Sequence, residues 1–161
     1  MKIQTVTLKD VGVQQVEGTY QKVYTNIKTY PAFLTNYAMK KGKELGILES
    51  SLFRDVLQFQ ALGGLETSEE INPEVLEQVD ETNMHKVIYI AFTGANPDKK
   101  MSFDDFLRRY HEPLQTTMEL YMNLVVDLID QNPNRFAQAL QKSTSNKRGK
   151  QEKKLNRRKS R

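Results

Sequence analysis

Apolar residues recur at Phe103, Phe106, Leu107, Tyr110, Leu114, Met118, Tyr121, Val125 and Leu128. Each step is three or four residues, so one helical face is apolar along the whole of residues 102–130. Ser102, with Asp105 three residues on, reads as a capping box, and Asp104 and Asp105 suit the positive end of a helix dipole. Pro113 removes an internal hydrogen bond, so the stretch divides into two helices with a break near Glu112. A stripe this long needs a partner surface, either the rest of the chain or another protein.

The remaining pattern is mostly helical. Ile3, Val6 and Leu8 alternate with Lys2, Thr5 and Thr7, which predicts a short strand. Val11, Val13 and Val16, then the alternation from Tyr20 to Ile27, extend it to a small hairpin or three-stranded edge. Such an element is marginal alone and must pack on helices or pair with another chain. Pro31 suits the first turn of a helix that ends at Gly46, with Phe33, Leu34, Tyr37, Ala38, Lys41 and Leu45 on one side. Gly42 inside it marks close helix packing. Ser50 or Ser51 caps a second helix, which Gly63-Gly64 ends. An acidic connector over residues 65–71 leads to Asn72-Pro73, the start of a third helix running through Ala91. Its stretch from Val87 to Phe92 is apolar nearly all round and should be the most buried. Thr93 to Pro97 breaks it. After Asp130 a turn about Pro133 precedes one more short helix over 135–140. The expected fold class is mainly α (α+β): a compact helical domain over 1–140 with a small N-terminal β element (1–27), then a disordered basic tail over 141–161.

Composition sharpens this picture at two points. A chain of 161 residues, 38% apolar and 27% charged, suits one folded domain. It has no Cys, which excludes disulfides and thiolate metal sites. No run of about eighteen apolar residues suggests a membrane span, and the first residues lack the apolar core of a signal peptide. A cytoplasmic protein is expected. The formal charge of +4 hides a split, because residues 141–161 hold ten Lys or Arg against the single acid Glu152. Of the +4, the tail therefore carries +9 and the body −5. The tail cations include Lys147, Arg148, Lys150, Lys153, Lys154, Arg157, Arg158, Lys159 and Arg161.

No catalytic, cofactor or metal site emerges from the residues. His85 and His111 are the two histidines. His111-Glu112 begins like a zinc-protease motif, but the second His is absent and Pro113 interrupts the helix. Glycine-rich phosphate loops and nucleophile elbows are missing as well. Tyr20, Tyr24 and Tyr30 read as packing residues rather than base-stacking ones. The tail has no aromatic residue for stacking on bases, so sequence-specific nucleic-acid recognition is not expected. Phosphate-backbone binding through the tail is the alternative function, that of a small nucleic-acid-associated protein.

Three segments carry a family resemblance: YPAFLTNYAMKKGKELGILESSL, HKVIYIAFTGANPDKKMSFDDFLRRYHEPLQTTMELYMNLV, and RFAQALQKST with its Lys-rich end. Over roughly Tyr30 to Thr144 the chain resembles the tail assembly chaperones of long-tailed (siphovirus-type) phages of Gram-positive bacteria. That resemblance implies a non-enzymatic protein without cofactors. It implies binding to the tape measure protein, a long helical client kept soluble while tail tube subunits polymerise around it. It also implies action in the host cytoplasm, absence from the mature virion, and a longer form made by ribosomal frameshift. The tail tube protein and a second copy of the chain are further expected partners. Adaptable Met and aromatic side chains suit such a client, so Phe103, Phe106, Leu107, Tyr110, Met118, Tyr121 and Met122 are the candidate contacts. The competing reading of the same residues is internal core packing, which an amphipathic stripe in one domain normally serves.

Overall fold

The computed structural model describes residues 3–47, 52, 80–131, 133, 134 and 137. Two long strands come first, β1 (Gln4–Val16) and β2 (Thr19–Ala32), paired antiparallel as a two-stranded sheet. Four helices follow among the described residues: α1 (Asn36–Glu44), α2 (Glu81–Ala95), α3 (Phe103–Leu107) and α4 (Leu114–Gln131). This overturns the mainly helical expectation. Helix takes 50% and strand 27% of the described residues, a mixed α+β fold.

The β element is no small appendage, because each strand runs 13 or 14 residues. The turn between them is Glu17-Gly18, with φ of 49° and 81°. Both central residues are left-handed, as the turn type that matches strand twist requires, and Gly18 takes that conformation without strain. Near the middle, Lys9 alone faces Asn26 and Ile27, a bulge marked by Asn26 at φ 51°. At the root, Val6, Leu8 and Ala32 face the helices and are buried.

The helix starts follow cap chemistry rather than proline. Pro31 lies at the end of β2, paired with Thr5, and its carbonyl accepts from Asn96 Nδ2 at 2.8 Å. The α1 N-cap is Thr35, whose hydroxyl accepts from the Ala38 N–H at 3.0 Å. Gly46, at φ 81°, follows the end of α1 as the pattern predicts. The α2 N-cap is Asp80, in extended backbone, with its carboxylate accepting from the Asn83 N–H at 3.0 Å. Of the helix expected from Asn72 through Ala91, residues 72–79 lie outside the described residues, and the described part starts after the Asp80 cap. It also runs on to Ala95, because Thr93 and Gly94 stay helical against α1.

The predicted cap and break before α4 are both present. The Ser102 hydroxyl accepts from the Asp105 N–H at 3.0 Å and donates to the Asp105 carboxylate at 2.7 Å. α3 ends at Leu107 and α4 begins at Leu114. The break is held by a chain of hydroxyls. Thr117 Oγ1 donates to the Pro113 carbonyl at 3.0 Å, so the Tyr110 hydroxyl, 3.1 Å away, donates to Thr117. The turn expected about Pro133 is corrected, since Pro133, Asn134 and Ala137 are helical. The helix expected from Ser50 or Ser51 to Gly63, the connector, and most of the helix over 135–140 lie outside the described residues, as does the basic tail. Leu52 alone of the second helix is described, helical and buried.

The core sits between α2, α4 and the root of the hairpin, with α1 and α3 closing its ends. Phe106 is central. Its ring stacks on Tyr110 at 5.3 Å and meets Phe92 and Tyr89 at 5.7 and 5.5 Å. His85 packs edge-on to Tyr110 at 5.6 Å. Burial lowers the His85 pKa from its ordinary 6.5, and the nearby Glu81 carboxylate opposes that shift. The unfolded chain thus takes up the His85 proton first as the pH falls. Its contribution is full above about 6.5 and is lost as the pH falls through the lowered folded value. Thermal unfolding of the wild type and of His85→Gln across that window is expected to differ in slope, the wild type losing more stability on acidification.

Candidate protein-interaction surface

Alternation along β1 puts Val6 and Leu8 toward the core and the odd-numbered residues on the opposite face. Past the bulge this outer face continues as Val11, Val13 and Gln15, paired with Tyr24, Lys22 and Tyr20. Every residue from Val11 to Tyr24 is exposed or partly so. Val13 and Tyr20 are 71% and 74% exposed, and Val11 and Tyr24 40% each. Ile27 and Ile3 are also exposed. Among the described residues, seven of the ten exposed large hydrophobics belong to the hairpin or to Ile3 just before it, so their exposed apolar surface is concentrated on one arm.

The arm is held at its bulge by the segment between α3 and α4. The Lys9 N–H donates to the Arg109 carbonyl at 2.8 Å. Lys9 Nζ pairs with Glu112 at 3.1 Å, partly buried, and Arg109 Nε with Asp10 at 3.3 Å. Asn26 Nδ2 donates to Asp10 at 2.8 Å across the bulge. On the outer face the His111 ring lies 5.8 Å from that of Tyr24, with Lys9 Nζ 4.6 Å from the Tyr24 centroid. The segment therefore straddles the edge of β1 and fixes the angle at which the arm leaves the body. His111-Glu112, the residues that suggested a fragment of a zinc motif, serve this clasp. His111 Nε2 also bonds the Arg108 carbonyl at 2.8 Å. Among the described residues no group of three His, Cys, Asp or Glu is placed to hold a metal ion. No described helix is long and apolar enough to cross a membrane.

A cleft of about 260 Å³ opens beside the clasp, lined by Leu8, Lys9, Asp10, Asn26, Lys28, Tyr30, Met101 and Arg109. Its charges are largely spoken for by the pairs just described, which makes it a seam between arm and body.

The seven residues singled out on the helical stripe are placed elsewhere. Phe106, Tyr110, Met118, Tyr121 and Met122 are buried in the core. Leu107 is partly buried against it, and Phe103 is half-buried with its ring 5.3 Å from Tyr89. They hold the domain together and offer little surface in this folded state. The hairpin itself was expected, but its length and its outer face as a surface were not, because the distal strands bury neither face and show little of the apolar–polar contrast that marks a half-buried strand. The available signal was composition, since Val, Thr and Tyr dominate residues 5–30.

In comparisons with protein-family models, with curated proteins and with solved structures, nothing matches the chain.

Proposed function

We propose that this chain is a tail assembly chaperone that binds the tape measure protein through the outer face of its hairpin arm. The observation that carries the reading is the stripe of Val11, Val13, Tyr20 and Tyr24, left exposed on an arm whose root is firmly held. A holding chaperone needs apolar surface that meets varied side chains and releases them. Two tyrosines suit this use because they bring large contact area with a polar tip and little conformational freedom to lose. The sequence resemblance supplies the client, and the arm supplies a surface for it. In this reading the helical stripe is the scaffold, and the protein works in the host cytoplasm and leaves before the virion is complete.

Co-expression of the full chain with a tape measure fragment tests the reading. The fragment is expected in the soluble fraction, co-purifying with the chain. A fragment that aggregates at every ratio of the two overturns it.

A further inference from the structure

We propose that two copies of this chain pair along the outer edge of β1, which no other described strand covers, joining their hairpins into one four-stranded antiparallel sheet. The proposal concerns the edge of the arm, and it stands whether or not the outer face binds a tape measure protein.

The direction of the backbone groups comes first. The Lys9 N–H points away from β2, because it donates to the Arg109 carbonyl. In an antiparallel strand residues alternate between bonding the neighbour and pointing outward. Val11, Val13 and Gln15 therefore present their N–H and C=O groups at the outer edge. The turn agrees, since Val16 and Thr19 flank the two-residue loop as its closing pair.

The two edges of the arm are not equally guarded. β2 carries Lys22 and Lys28, the two residues of the bulge, and Pro31, the features that discourage strand addition. From Val11 to Val16 β1 reads VGVQQV, without charge or proline. An unguarded edge of that kind is a template for another strand.

The limits of the edge then select its occupant. It ends at Lys9, whose N–H is already used, and at Glu17, where the chain turns. Its midpoint is Val13. Antiparallel self-pairing about Val13 sets Val13 against Val13 of the second copy, and Val11 against Gln15. Those are the residues whose backbone groups face outward. The same register brings Glu17 of each copy beside Lys9 and Arg109 of the other, which adds an acid to cations that otherwise face Glu112 and Asp10. Such an interface is isologous, as a closed two-fold dimer requires. It also converts a two-stranded ribbon into a sheet wide enough to be stable.

Charge reversal at the two-fold tests this with the full chain. Light scattering of the wild type should give about twice the 18.7 kDa chain mass. Val13→Glu alone and Val13→Lys alone should each return to the single mass, because like charges then face each other. Their equimolar mixture should regain the doubled mass, with Glu facing Lys. Val13→Pro should also be monomeric, since it removes an outward N–H and spares the bonds to β2. Circular dichroism establishes that each variant is folded. A wild type at single mass, a doubled mass in either charge variant alone, or a mixture that stays single overturns the proposal.

Discussion

Phe106→Ala is expected to cost about 3–5 kcal/mol, the range for emptying a buried aromatic site. Typical domains are stable by roughly 5–15 kcal/mol, so a large part of the folded state's margin would go. The reason lies in α3, which is only five residues long. An isolated helix of that length has no stability of its own, and its cap adds about 1 kcal/mol. What keeps it in place is the Phe106 ring among Tyr89, Phe92 and Tyr110. Tyr110 in turn leads into the hydroxyl chain through Thr117 to Pro113, so loosening Phe106 also loosens the entry to α4. Urea denaturation followed by circular dichroism measures the loss. A change below about 1 kcal/mol would show that the aromatic cluster is not the anchor.

The second large effect is at the contact of α1 with α2, where two glycines behave differently. A Cβ on Gly94 would lie 2.9 Å from the Ala38 Cβ and 3.1 Å from the Thr35 hydroxyl, which caps α1. Neither neighbour can swing aside. Gly94→Val is therefore expected to cost at least about 1–3 kcal/mol, by overpacking and by disturbing the cap. A Cβ on Gly42 would meet the Ile90 Cδ1 at 2.9 Å, the far end of a flexible side chain. There the helix gains about 1 kcal/mol of propensity from Gly→Ala, so Gly42→Ala should be close to neutral. Equal losses in the two thermal melts would contradict this reading of the contact.

What could be read from the sequence depended on whether a residue's role was local. The Ser102 cap, the break at Pro113, the stop at Gly46 and the close packing at Gly42 each follow from a few neighbouring residues and a fixed spacing. The apolar stripe over 102–130 was legible too, but its destination was not. Periodicity marks a buried face without naming what buries it, and here α2 and the hairpin root do. The start of α1 was misplaced because Pro31 tolerates a strand end as well as a helix start, whereas the Thr35 hydroxyl fixes the true boundary. The hairpin was legible, but its length of 13 and 14 residues per strand was not. Its distal half faces water on both sides, so hydrophobic alternation, the usual evidence of a strand, is weak where the strand matters most.

The proposed function puts the client on the arm's outer face and not on the helical stripe. Its most direct test replaces Val11, Val13, Tyr20 and Tyr24 together by Thr, which keeps strand propensity and removes the apolar surface. Binding of this variant to a tape measure fragment is then compared with that of the wild type by titration calorimetry. A folded protein with an almost unchanged melting point and affinity lower by at least about tenfold is expected. Undiminished affinity in that variant would contradict the proposed function.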